Sequence, residues 1–247
     1  MKALIFDVDG TLAETEELHR RAFNQSFADA GLDWFWDVEL YGRLLAVTGG
    51  KERIRHFVDA NGCRSKLTAE ELAALHAAKT KHYANLAANG ALVLRPGVER
   101  LLREARAANI RLVIATTTTA ANIEALLQVT LGRDWMRWFE FILAGDSVPA
   151  KKPASDIYWL ALEQLGLHAA ECVAFEDTLN GLISARGAGI ATVVTASAFG
   201  GPGPFPGALA VVDQLGEFGM PCTVLAGPPT QEGVVDLATL VDWLRAS

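Results

Sequence analysis

The sequence predicts a doubly wound α/β protein, an open parallel sheet with helices on both faces and an all-helical insertion after the first strand. Three observations predict it. From about residue 91 onward, short apolar runs alternate with amphipathic stretches at the spacing of right-handed βαβ units. Residues 15–90 carry only helical periodicity. Leu4-Ile5-Phe6, ahead of the insertion, has the pattern of a short buried strand that needs the later sheet for partners. At 247 residues, 51% hydrophobic and 21% charged, the chain suffices for one large compact domain with an insertion.

The elements follow in order. A strand over residues 3–7 runs into Asp7-Val8-Asp9-Gly10-Thr11, where Asp9-Gly10 is a good turn dipeptide. Residues 15–30 place Leu18, Ala22, Phe23, Phe27 and Ala30 on one helical stripe, stopped by Gly31. The Trp-rich DWFWDVELYG reads as packing within a small helical unit, and TGGKERIRHFV opens a helix ended by Asn61-Gly62. Thr68 and Glu71 stand at capping-box spacing before a helix with Leu72, Leu75 and Leu86 on its apolar face.

LRPGVERLLREARAAN is a helix opening after Pro96, and IRLVIATTTT is a β-branched buried strand. ANIEALLQVT, ASDIYWLALEQLG and TLNGLISARGAG are helices, separated by the strands FEFILAG and CVAFED and followed by the strand IATVVTAS. FGGPGPFPG reads as a flexible surface loop and VVDLATLVDWLRAS as a last amphipathic helix. The expected division is a catalytic core of residues 1–14 and 91–247 with a helical cap of residues 15–90.

A formal charge of −7 argues against nucleic acid as a partner, because phosphate backbones select basic surfaces. No run approaches the roughly 20 apolar residues of a membrane span, and the first strand starts without a signal peptide, so a cytoplasmic protein is expected. Cys63, Cys172 and Cys222 form no CxxC pattern and read as reduced thiols. The five histidines show no zinc-ligand spacing.

Ligands of an open parallel sheet bind beyond the carboxyl ends of its strands. Those ends carry Asp7 and Asp9, then Thr116-Thr117-Thr118, then Lys151-Lys152-Pro153, then Glu176-Asp177. Asp7 and Asp9, two apart in an extended segment, project into one crevice, where repulsion favours a shared cation or proton. Carboxylates, hydroxyls and a lysine on one edge suit phosphoryl transfer. Each has an ordinary alternative: Thr116 to Thr119 as helix caps, Lys152 as a solvated loop lysine, Glu176-Asp177 as first-turn helix acids. Their joint order and placement favour the site. In the insertion, Gly49-Gly50 at a helix start leaves amides open to an anion, with Lys51 and Arg53 adding charge.

FDVDGT, VIATT, the lysine before Pro153 and FEDTLNG resemble the four motifs of the haloacid dehalogenase superfamily over nearly the whole chain. The helical insertion directly after the first motif is similar to the cap of its β-phosphoglucomutase-like group. DVDGTLAETEELHRRAF, WFWD, TGGKERI and ATTTTAAN resemble the CbbY family of xylulose-1,5-bisphosphate phosphatases. The resemblance implies a monomeric, Mg²⁺-dependent sugar-phosphate phosphatase that works through an aspartyl-phosphate and clears an inhibitor of the carbon-fixing carboxylase. A β-phosphoglucomutase-type transferase, or a phosphatase for another small sugar phosphate, are the alternatives.

By position, the resemblance makes Asp7 the nucleophile and Asp9 the acid/base, its pKa raised by nearby negative charge. Asp7, the backbone of Asp9, Glu176 and Asp177 would surround Mg²⁺. Thr116, Thr117 and Lys152 would hold the transferring phosphate, with Thr118 and Asn122 as further substrate contacts. Gly49, Gly50, Lys51 and Arg53 would take the second phosphate of a bisphosphate. His76 and Lys79 would meet the same substrate, and Glu16 and His19 would touch the sugar or steer Asp9. After Val194 the segment TASAFGGPGPFPG departs from the family pattern.

Overall fold

The computed structural model describes residues 1–61, 67–201 and 203–246. Seven strands form one sheet: β1 (Ala3–Phe6), β2 (Arg111–Ala115), β3 (Phe141–Leu143), β4 (Cys172–Glu176), β5 (Ala191–Thr195), β6 (Ala210–Val212) and β7 (Val224–Ala226). Their order is β3-β2-β1-β4-β5-β6-β7, parallel throughout except for β7, which runs antiparallel to β6. Beside β1 the register sets Phe6 opposite Ile114 and Phe175, so Asp7, Ala115 and Glu176 emerge side by side. The strand order reverses there, which is where an open α/β sheet leaves a crevice.

Successive residues of a strand face opposite sides, and the core divides accordingly. Leu4, Phe6, Val173 and Phe175 pack under α5 (Val98–Ala107), α6 (Ala120–Thr130) and α9 (Leu237–Ala246). Ala3, Ile5, Cys172 and Ala174 pack under α7 (Asp156–Leu165) and α8 (Leu179–Gly187). The sequence pattern gave no sign of β6 and β7, whose three residues each are too few to show a period of two.

Between β1 and β2 lie α1 (Glu16–Asp29), α2 (Val38–Leu44), α3 (Gly50–Ala60) and α4 (Ala69–Leu86). The expected capping box forms in both directions, with Glu71 N–H donating to Thr68 Oγ1 and Thr68 N–H to Glu71 Oε2. The Trp-rich stretch packs as expected. Trp36 is fully buried, with ring centroids 4.7 Å from Phe23 and 4.9 Å from Phe27, in a cluster that takes in Tyr41, Phe57 and Leu72. Leu18, Ala22, Tyr83 and Ala87, at the base of α1 and the end of α4, belong instead to the core cluster of the sheet.

The linker returning from the insertion carries Arg95, 9% exposed, whose N–H groups donate to the carbonyls of Gly10, Thr195, Ala196 and Asp213. One guanidinium thus ties the turn after Asp9 to the ends of β5 and β6. Cys172 and Cys222 are free thiols; Gly62 and Cys63 lie outside the described residues. Among the described residues no helix is long and apolar enough to cross a membrane.

Candidate active site

Asp7 follows β1, and Lys152 reaches it from the loop after β3. Lys152 Nζ lies 2.7 Å from Asp7 Oδ1, 2.6 Å from Glu176 Oε1 and 2.9 Å from the Ala115 carbonyl, with 4% of its side chain exposed. The Tyr158 hydroxyl donates to Glu176, and the Ser197 hydroxyl donates to Asp177 Oδ2 at 2.6 Å. The carboxylates of Asp7, Glu176 and Asp177 each offer an oxygen within 4.8 Å of the others. Gly181 in α8 leaves the room that the Glu176 carboxylate occupies; a Cβ there would collide with it.

Burial pushes Asp7 up to about 7 despite Lys152, and raises Asp177 well above the usual carboxylate range. Burial works against the Lys152 charge as well, but Asp7 and Glu176 outweigh it and hold the ammonium above its ordinary value. Three buried carboxylates against one ammonium leave negative charge without a partner. All-oxygen donors in such a cluster fit a hard divalent cation.

Asp9 corrects the expectation of a shared crevice cation and a raised pKa. Its carboxylate lies on the same cavity as Asp7 but turns toward the insertion. It accepts from Thr15 Oγ1 at 2.6 Å and meets His19 Nε2 at 2.9 Å. On the far side of the imidazole, Lys79 Nζ lies 2.5 Å from His19 Nδ1, so an ammonium donating to Nδ1 leaves Nε2–H to donate to Asp9. Burial raises Asp9, but the His19 and Thr15 hydrogen bonds, with the Lys79 ammonium behind the imidazole, overcome it and hold the carboxyl well below its usual range. Only the main chain of Asp9 is left to the metal reading. Burial brings Lys79 down to about 8.

The loop after β2 divides its labour. Thr119 caps α6 through Asn122 N–H, which is the ordinary role weighed for these threonines. Thr116, Thr117 and Thr118 line the cavity, and buried Asn122 holds Thr118 Oγ1 at 2.9 Å through its side chain. Lys151 lies at the rim, 3.6 Å from Asp146.

Opposite stands the first turn of α3. Gly49, at φ 98°, starts the helix with no side-chain cap, leaving first-turn amides free of one. Gly50 lies beneath the His76 imidazole, whose Nε2 is 2.6 Å from where a Cβ would sit. Burial, with Lys79 and Lys51 near, brings His76 down to about 4, so it faces the cavity neutral. Lys51 is half exposed, 4.0 Å from Asp146. Arg53 is more constrained than its sequence suggested: buried, it donates to the Leu44 carbonyl and to the Tyr41 hydroxyl at 3.2 Å. Tyr41 in turn donates to Glu16 Oε2 at 2.5 Å.

The structure therefore brings all the expected side chains to one cavity and adds Tyr41, Thr15, Tyr158, Ser197 and Phe199 around them. Thr15 lies inside the motif stretch that follows Asp9, a signal the sequence did offer. Tyr158 and Tyr41 gave none, since each reads as an apolar helix residue.

Comparison with known proteins places these features among relatives. The family model described as haloacid dehalogenase-like hydrolase matches residues 1–189. The chain is 50% identical over 249 residues to the plasmid-encoded protein CbbY of Cupriavidus necator, covering 98% of this chain and 96% of that one. It is 48% identical to CbbY of Cereibacter sphaeroides, covering 89% and 94%. A crystal structure of a mutant Rhodobacter sphaeroides CbbY in complex with xylulose-(1,5)bisphosphate superposes with a TM-score of 0.81 at 46% identity, over 87% of this chain and 94% of that one. A β-phosphoglucomutase from Clostridium difficile shares the fold, with a TM-score of 0.72 at 21% identity over 87% and 91%.

Proposed function

This chain belongs to the haloacid dehalogenase-like hydrolases, in the CbbY family, and from that premise we propose that its cavity hydrolyses xylulose-1,5-bisphosphate through an aspartyl-phosphate on Asp7. It is a sugar-phosphate phosphatase. The observation that carries the reading is the pair of facing features on one cavity: the Asp7–Lys152–Glu176 cluster and, across from it, the uncapped first turn of α3 with Lys51. One phosphate fits each.

In the first half-reaction, an Asp7 carboxylate oxygen attacks phosphorus in line, the bond to the sugar oxygen breaks, and that oxygen takes a proton from Asp9. In the second, water attacks phosphorus and gives its proton to Asp9, the bond to Asp7 breaks, and phosphate leaves. Lys152 on Asp7 Oδ1 fixes the rotamer and leaves the other oxygen to attack. The Thr116 and Thr117 hydroxyls hold phosphate oxygens. Asp9, a carboxylate held by hydrogen bonds from His19 and Thr15, suits the base half directly. The phosphate dianion beside it counters the Lys79 ammonium behind His19 and favours the protonated form of Asp9 for the acid half. Asp7, Glu176 and Asp177, with the main chain of Asp9, would hold Mg²⁺. When bound, the metal supplies positive charge to the phosphate oxygens.

The role we assign is removal of an inhibitor of the carbon-fixing carboxylase. A phosphate-release screen across xylulose-1,5-bisphosphate, ribulose-1,5-bisphosphate and sugar monophosphates tests the reading, with xylulose-1,5-bisphosphate preferred. Interconversion of glucose phosphates without phosphate release would replace it with a mutase.

A further inference from the structure

The sequence reads IATVVTAS as strand through Ser197 and FGGPGPFPG as a flexible surface loop, in a stretch outside the family pattern. The strand ends at Thr195, and the turn of residues 196–200 is built into the cavity. Ser197 donates to Asp177 Oδ2 at 2.6 Å and accepts from Gly200 N–H at 2.8 Å. A Cβ on Gly200 would collide with the main-chain carbonyl of Asp177, so the turn lies pressed against that residue. Ala198 N–H reaches the Glu14 carboxylate at 3.4 Å, and Arg95 Nε faces the same carboxylate at 3.5 Å. Two residues beyond Ser197, the half-buried Phe199 lines the cavity and stands edge-on to Tyr41, ring centroids 5.9 Å apart.

Tyr41 is the hydroxyl that donates to Glu16 and receives Arg53, whose guanidinium also lies over its ring at 5.3 Å. Beside this contact Asn180 donates to the Ala46 carbonyl and to Thr48 Oγ1, closing the same seam between core and insertion.

We propose that the turn at 196–200 serves both halves of the site: Phe199 is a positioning residue that backs Tyr41 and so sets Glu16 and Arg53 toward substrate, while Ser197 positions Asp177. The aromatic contact and the carboxylate contact stand two residues apart on one short turn pinned by Gly200 and Glu14. The selection half of the proposal rests on the bisphosphate reading above; the Asp177 half does not.

The test compares wild type, Phe199→Ala, Phe199→Leu and Ser197→Ala on xylulose-1,5-bisphosphate and on p-nitrophenyl phosphate, an ester with no sugar hydroxyls and no second phosphate. Phe199→Ala should lower kcat/KM on the bisphosphate about 10-fold, mostly through KM, and leave the small ester within about 2-fold. Phe199→Leu should restore most of the loss. Ser197→Ala should weaken Mg²⁺ binding about 10-fold, read by calorimetric titration of the substrate-free protein. Equal losses on both substrates, no loss on either, or unchanged Mg²⁺ affinity in Ser197→Ala would overturn the proposal. If wild type leaves the bisphosphate intact, the functional reading fails, and the Mg²⁺ titration still decides the role of the turn.

Discussion

On the core side of the cavity, Lys152 lies 2.7 Å from Asp7 and 2.6 Å from Glu176, with 4% of its side chain exposed. On the insertion side, Lys51 lies 4.0 Å from Asp146 with 44% of its side chain exposed. The first cation is locked into the structure, and its partners leave it little freedom. The second retains water and mobility, and its charge is available to a ligand. Breaking a buried ion pair leaves an uncompensated charge, whereas losing an exposed one costs little. On the proposed function, the core side is thus preorganised for chemistry, and the insertion side is left for recognition.

That contrast can be broken at four points. Asp7→Asn removes the proposed nucleophile and should lower kcat at least about 10³-fold on every phosphate ester, large or small, without lowering the melting temperature. Single-turnover phosphate release alongside a thermal melt checks both halves of the statement. Lys152→Ala strips the counter-charge from Asp7 and Glu176 and should cost about 3–5 kcal/mol of stability in denaturant titrations, with added Mg²⁺ recovering part of it. If Lys152→Ala were as stable as wild type, the core side would not be locked in the way its distances imply.

His19→Ala, at the boundary of the two sides, should lower kcat about 10²-fold for bisphosphate and monophosphate alike, because Asp9 serves both. A loss confined to the bisphosphate would move His19 from proton transfer to recognition. Lys51→Ala should be the mildest change. It should lower kcat/KM for xylulose-1,5-bisphosphate about 10-fold, change monophosphate turnover by less than about 2-fold, and shift stability by no more than about 0.5 kcal/mol. Equal losses on both substrates would take the second phosphate away from α3.

The two sides also differ in how much the sequence disclosed. Asp7, Thr116 and Glu176 stand at strand ends, and strands were legible from their apolar runs, so the sheet topology carried those side chains to one edge, with Lys152 on the loop after β3. On the insertion side the helices were legible, as were Gly49-Gly50 and the His76–Lys79 face. What Arg53 touches was not, because its partners Leu44 and Tyr41 come from another helix and no local pattern encodes that packing. Asp9 went astray for the same reason. Another acid, Asp7, stands two residues before it, but its nearest bonds are to Thr15 and His19, which reach it through the fold of α1. Phe199 was hidden by glycines and prolines that read as free loop, and Ser197 by its place at the end of a stretch read as strand.

Leu18, Ala22, Tyr83 and Ala87 make the roots of α1 and α4 part of the same apolar cluster as Leu4, Phe6 and Leu101. The Tyr83 ring stacks on His19 at 4.2 Å between centroids, so the rooting reaches the Asp9–His19 pair itself. Excising residues 15–90 would therefore leave the sheet with an open apolar wound rather than a trimmed enzyme. Heating should melt both regions together, in one endotherm with calorimetric and van't Hoff enthalpies in agreement, because neither can lose its packing while the other keeps it.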